Sequence, residues 1–248
     1  MTKAELLQKA KPILFNTEMI QAILDGKKTV TRRMVKNVEI EINNNYIYIH
    51  ELNRQGERIN NVNCGFPYSD KEITEFMNMN YAPYEIGDIL YVRETFQRLD
   101  SLLAMDLSAG EYAYVYKASD NGKAWEENIE NWTWKPSIHM PKEAARIFLK
   151  VIDVRIERLQ NITCEQIGKE GVSSTTFWTP KKLKNRPFEE KWWDDCYFWA
   201  NYAQMVFKKL WNSTIKKQNL DRYGWDANPW VWAIEFEKVR NNDRRKSI

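Results

Sequence analysis

Residues 16–33 constrain this chain more than any other stretch, because they join a helix to a strand through a single glycine. Met19, Ile20, Ile23 and Leu24 recur at helical spacing and fall on one face. Asn16 or Thr17 can accept a backbone N–H at the start, and Gly26 suits the left-handed residue that ends a helix. Thr29, Val30 and Thr31 then favour an extended chain, since β-branched side chains fit a pleated surface. A strand here sends Thr29, Thr31 and Arg33 to one face, and Val30 and Arg32 to the other. The eight residues from Gly26 to Arg33 hold four cations and two hydroxyls. The helix therefore delivers Lys28 to the lip of a sheet. A solvated basic turn has the same spacing, and both readings stand at this point.

Short alternating runs continue along the chain. Val38 to Ile42 and Tyr46 to His50 alternate around Asn43, Asn44 and Asn45, the pattern of a hairpin. Residues 53–82 are polar and read as an irregular insertion or long loop. Gly87 to Phe96 reads as a turn feeding a strand, and Tyr112 to Tyr116 as another. Pro136 and Pro141 bound a loop that begins at Trp132. Ile147 to Ile156 is rich in β-branched residues and predicts a long strand. Thr163 opens a second short helix, with Glu165 and Gln166 in its first turn and Gly171 past its end. Phe198 to Leu210 predicts a helix with Met205, Val206, Phe207 and Leu210 on its inner face. Trp230 to Phe236 predicts a closing strand that puts Trp230 and Trp232 on the same, core-facing side. Many short strands with a few helices point to an α+β fold around a small, mostly antiparallel barrel flanked by short helices. No glycine-rich phosphate loop, repeat or linker interrupts it. The expected organisation is one domain over 11–239, with insertions near 53–82 and 173–195, and a basic, disordered tail over 240–248.

Composition removes several function classes. A net charge of +3 is too small to announce nucleic-acid binding by itself, so only local clustering argues for it. Eleven tryptophans serve equally as core filler or as platforms for stacking a base. Cys64, Cys164 and Cys196 form no CxxC pair, and His50 and His139 are the two histidines, so no metal, cofactor or disulfide framework is implied. The start lacks a signal peptide and no run approaches membrane-spanning length, which makes a reducing cytoplasm the expected setting and a membrane partner unexpected.

The order of these pieces, from the Gly-x-Lys-Thr-x-Thr-x-Arg segment through Gly87-Asp88-Ile89-Leu90-Tyr91-Val92 to Ile234-Glu235-Phe236, resembles the ASCH family of the PUA-like superfamily. It is most similar to prophage-encoded ASCH-like proteins, by the segments at 13–19, 92–95, 135–141 and 224–232. One small bacterial branch of that family comprises amidohydrolases that deacetylate N4-acetylcytidine. The resemblance implies a catalytic Lys28 and Thr31, with the motif arginine at Arg33, and a catalytic Glu170 on the later helix. This chain is more than twice the length of those compact enzymes, and it adds Arg93, Glu94 and the loop from Trp134 to Met140.

Amide hydrolysis needs a nucleophile, a proton shuttle and something to steady the developing oxyanion. A lysine attacks only when neutral, so burial and neighbouring cations (Lys27, Arg32 and Arg33 are the candidates) must lower its pKa. Glu170 can take a proton from Lys28 or from water, and Thr31 can orient the group under attack. An ordinary Lys28–Glu170 ion pair would instead keep the lysine charged and inert. The candidate substrate-binding residues are Lys27, Thr29, Arg32, Arg33, Arg93, Glu94, Trp134, Ser137 and His139. Glu94 can pair with Arg33 or read a base edge, while Trp134 and His139 can stack or donate. Three readings stay open: a hydrolase of a modified nucleoside, a non-catalytic module for RNA or a modified base, and a phage protein that sequesters a host nucleotide. They share one pocket and differ in whether bonds are broken.

Overall fold

A computed structural model of the chain describes residues 1–44, 46–53, 55–67, 69–99, 113–120, 133–172 and 196–240. In chain order come α1 (Lys3–Lys9), β1 (Lys11–Leu14), α2 (Thr17–Leu24), β2 (Val30–Met34), β3 (Val38–Asn43), β4 (Tyr46–Leu52), β5 (Arg58–Pro67) and α3 (Asp70–Tyr81). Then follow β6 (Ile89–Arg93), β7 (Phe96–Leu99), β8 (Ala113–Tyr116), β9 (Phe148–Arg158), α4 (Cys164–Lys169), α5 (Cys196–Ser213), α6 (Leu220–Tyr223) and β10 (Trp230–Lys238). The chain is α+β. The insertion expected over 173–195 and residues 241–248 of the tail lie outside the described residues.

Two units divide the chain, and the division runs through the expected 11–239 span. The first takes Met1–Lys27, Ile86–Ile152 and Phe236–Ile248; the second takes Lys28–Glu85 and Asp153–Glu235. In the first unit, α1 starts with a reciprocal cap between Thr2 and Glu5, and α2 starts where the Asn16 side chain accepts the Met19 N–H at 2.8 Å. Gly26 ends α2 at φ +72°, a region a side chain would disfavour. β1 runs parallel to β6, and β6 pairs antiparallel with the opening of β9. β7 and β8 pair with each other. Leu6, Tyr91, Phe96, Met140 and Phe148 are the larger members of this unit's buried cluster.

In the second unit β10 lies between β9 and β2, and β3, β4 and β5 form a separate sheet. The asparagine turn between β3 and β4 includes Asn44 at φ +49°, a conformation asparagine tolerates better than most residues. Leu159, Ile162, Ile167, Phe207, Trp211, Trp225 and Val231 form its core around α4 and α5. Phe207 packs its ring edge-on to Trp225 at 6.0 Å. Trp230 and Trp232 are both buried.

Three expectations change. Among the described residues the strands form open sheets rather than a closed barrel, and the β1–β6 pair is parallel. The supposed loop over 53–82 contains β5 and α3. β5 lacks apolar alternation, so its sequence hides it. Polar pairs across the sheet hold it instead: Arg58 to Glu39 at 2.9 Å and to Glu41 at 3.1 Å, and Asn60 to Glu51 at 2.9 Å. α3 is capped by Ser69 and buries Ile73 and Met77, one turn apart. Met205 is exposed, whereas Ala203, Phe207, Leu210 and Trp211 are the α5 residues that meet this core and Val206 is buried. No helix among the described residues is long and apolar enough to cross a membrane.

Candidate active site

The site is assembled from β2 and the C-terminal end of α4, both in the second unit. β2 pairs antiparallel with β10, from Val30 opposite Glu235 to Met34 opposite Val231. α4 begins with Thr163, whose side chain accepts the Gln166 N–H while Gln166 reaches back to the Thr163 N–H. The helix ends at Glu170, with Gly171 next at φ +85°. There the backbones join: Lys28 and Glu170 form an isolated antiparallel bridge, and the Thr29 N–H donates to the Lys169 carbonyl at 2.8 Å.

Lys28 turns its side chain inward and is fully buried. Its Nζ donates to the Val30 carbonyl at 2.8 Å, to the Glu170 carbonyl at 3.0 Å and to Glu170 Oε2 at 2.6 Å. The other carboxylate oxygen, Oε1, accepts from Arg32 Nη1 at 3.1 Å. Arg32 is also fully buried in its side chain, and gives Nε to Glu157 Oε1 at 2.8 Å and Nη2 to Gln166 Oε1 at 3.1 Å. Glu157 in turn accepts from Arg155 Nε at 3.2 Å, and Arg155 pairs with Asp153 at 2.8 Å. The result is a chain of alternating charge, Lys28–Glu170–Arg32–Glu157–Arg155–Asp153. Each buried ion thus has an opposite neighbour and a directed hydrogen bond, without which burying it would cost several kcal/mol.

Burial pulls the Lys28 ammonium below its ordinary value of 10.5. Glu170 opposes that shift by its charge and its hydrogen bond, while Arg33 and Arg32 reinforce it. The half-buried Arg33 guanidinium is also lowered from its usual value by burial, against opposing interactions with Tyr84 and Glu170. The two arginines therefore differ in role. Arg32 is hydrogen-bonded to Glu170 directly, whereas Arg33 acts on Lys28 and Glu170 through its charge. Thr31 is buried opposite Ile234, and strand alternation puts it on the face opposite Arg32. Thr29 is anchored by its backbone to the end of α4.

The remaining candidates belong to the first unit. Lys27 is exposed and pairs with Asp25 at 3.0 Å. Arg93 Nη2 donates to the Ile138 carbonyl, while its buried Nε has no hydrogen-bond partner among the described residues. The 133–141 loop is tied to β7 by reciprocal backbone bonds between Phe96 and Lys135, of 3.2 and 2.8 Å. Within it Trp134 and Ser137 are half-buried and His139 is exposed. Glu94 is buried and its carboxylate is held by Arg146, Nε to Oε1 and Nη2 to Oε2, both at 2.8 Å. Arg146 also lies 4.0 Å over the Tyr116 ring. The carboxylate of Glu94 is therefore paired with Arg146, rather than with Arg33, one of the two roles its sequence position offered.

Four residues of these networks carry no local motif: Arg146, Arg155, Glu157 and Gln166. Two have a readable trace. Gln166 stands one turn before Glu170, so the two share a helix face. Glu157 continues the alternation of its strand, on one face with Asp153 and Arg155 and opposite buried Val154 and Ile156. Among the described residues no group of three His, Cys, Asp or Glu is placed to hold a metal ion. Comparisons with protein-family models, with curated proteins and with solved structures gave no match.

Proposed function

We propose that this chain is an ASCH-like module of the PUA-like superfamily, of the prophage type, that binds a nucleotide or nucleic acid and removes an acyl group from a modified nucleoside such as N4-acetylcytidine. The observation that carries the reading is the Lys28–Glu170 contact of 2.6 Å, buried and flanked by Arg32. Such a pair can move a proton without help from solvent.

Direct attack by Lys28 on the acyl carbon would leave an acyl-lysine, an amide as resistant as the bond it replaced. Attack by water avoids that trap. In this scheme Glu170 takes a proton from the water as its oxygen bonds to the acyl carbon. Lys28, made more acidic by burial, gives a proton to the leaving amine nitrogen as the C–N bond breaks. Glu170 then returns its proton to Lys28, and the balance is amide plus water to carboxylic acid plus amine. Arg33, whose charge acts on Lys28 and Glu170, supplies charge to the developing oxyanion.

A binding-only reading rests on a different observation. Lys28 Nζ already donates to three acceptors of the protein itself, which suits a permanent ammonium. Incubation with N4-acetylcytidine, followed by chromatography, separates the two. The hydrolase reading expects deacetylation in the wild type and a loss of about 100-fold or more in Lys28→Arg, since a guanidinium does not give up its proton. An unchanged rate in Lys28→Arg, or no turnover in a wild type that still binds the nucleoside, leaves the binding module.

A further inference from the structure

A cleft of about 300 Å³ lies in the second unit beside the far end of β2, lined by Met34, Lys36 and Asn37 and by residues of the α5–α6 connection and the end of α6. Met34, from the α4–α5 core, is part of its wall. Its polar lining is Lys36, Asn37, Thr214, Lys216, Asn219 and Tyr223, and none of the eight lining residues is acidic. Lys36 and Lys216 are exposed and, like several other lysines, make no ion pair among the described residues. The side-chain amides of Asn37 and Asn219 and the Tyr223 hydroxyl likewise make no hydrogen bond among the described residues. Two exposed cations and four neutral polar side chains thus line one concavity, and the Tyr223 ring and Met34 supply an apolar surface.

We infer that this cleft is a phosphate subsite, taking one phosphate-bearing nucleotide unit with Lys36 and Lys216 on the phosphate oxygens. The donor set is suited to an anion, because it offers N–H and O–H groups without a competing carboxylate. A volume of this size accommodates one nucleotide unit rather than an extended cofactor. The position also matters. Met34 is two residues beyond Arg32 on β2, so the two share a strand face about 7 Å apart. A ligand held in the cleft therefore lies along the same face as the Lys28–Glu170–Arg32 network. The nucleotide identity of the ligand rests on the proposed function; the anion preference does not. The phosphate can come from an RNA backbone or from a free nucleotide.

The test measures fluorescence anisotropy of a labelled uridine dodecamer RNA, from about 50 to about 200 mM salt. A second arm uses titration calorimetry with uridine 5′-diphosphate. Wild type is compared with the double variant Lys36→Ala/Lys216→Ala, and with Lys71→Ala as an exposed control lysine on α3. Weaker binding of either probe by about 10-fold in the double variant, with Lys71→Ala unchanged, supports the subsite. Loss on RNA, with a salt slope smaller by about 1.4, identifies a backbone phosphate; loss on the diphosphate identifies a free nucleotide. Equal binding by wild type and double variant for both probes, or no binding of either probe by wild type, overturns it. Deacetylation that depends on Lys28 while the cleft variants bind normally would sink the subsite and leave the hydrolase standing. Intact phosphate binding without deacetylation would do the reverse.

Discussion

Lys28 and Glu170, 142 residues apart in the chain, meet twice: their backbones form an antiparallel bridge, and Lys28 Nζ lies 2.6 Å from Glu170 Oε2. The bridge places the two side chains, and the buried side chains then neutralise each other. Glu170 has a second duty, since its other oxygen accepts from Arg32. One carboxylate thus stands between two buried cations, and the consequences of losing either end are unequal.

Glu170→Gln should cost about 3–5 kcal/mol of unfolding free energy, because it leaves Lys28 and Arg32 facing each other with no charge between them. Lys28→Met should cost less, because Glu170 keeps Arg32 and Arg32 keeps Glu157. Urea unfolding of both variants at neutral pH checks the order, and a smaller loss in Glu170→Gln would contradict it.

Stability should rise with pH over the window between the folded-state value of Lys28 and 10.5. Burial lowers this lysine in the folded chain, so the unfolded chain holds the proton there and unfolding takes one up. Raising pH withdraws that advantage from the unfolded state. Below the folded-state value both states carry the proton and the contribution is flat. Urea midpoints measured through the alkaline range should show the rise in wild type and not in Lys28→Met.

Met77→Ala should cost about 2–5 kcal/mol, since Met77 is fully buried on α3 one turn from Ile73. A truncation in a surface loop would stay within about 0.5 kcal/mol. Thermal or urea unfolding distinguishes a structural α3 from a decorative insertion.

Glu94→Gln should lower stability by about 2 kcal/mol, because it replaces a charge-assisted, two-pronged grip on Arg146 with a single weaker acceptor. Arg146→Lys should produce a comparable loss, since an ammonium cannot make both bonds in the same plane. If either variant unfolds like wild type, the grip contributes nothing to the fold.

The local elements were legible wherever a short-range rule decides them. Asn16 and Thr163 announce helix starts, Gly26 and Gly171 announce the ends, and β-branched runs announce β2, β9 and β10. Within the site, Lys28, Thr31, Arg32, Arg33 and Glu170 could be nominated from motif and helix context. What no window of residues contains is a partner. Alternation separates Arg32 from Arg33, yet which arginine bonds Glu170 depends on where the end of α4 sits against β2. Arg146 for Glu94, and Glu157 and Gln166 for Arg32, come from positions 52, 125 and 134 residues away. β5 hides in the sequence for the same reason: its polar side chains are satisfied by Glu51 on the adjacent β4 and by Glu39 and Glu41 on β3 beyond it, not by any pattern of its own. The sequence by itself determined the capped helices, the glycine exits and the strand faces, because those depend on neighbours within a turn or a pleat. Tertiary structure alone decided which charges are buried and which carboxylate answers each cation, because desolvation and pairing depend on groups the chain brings together from far apart.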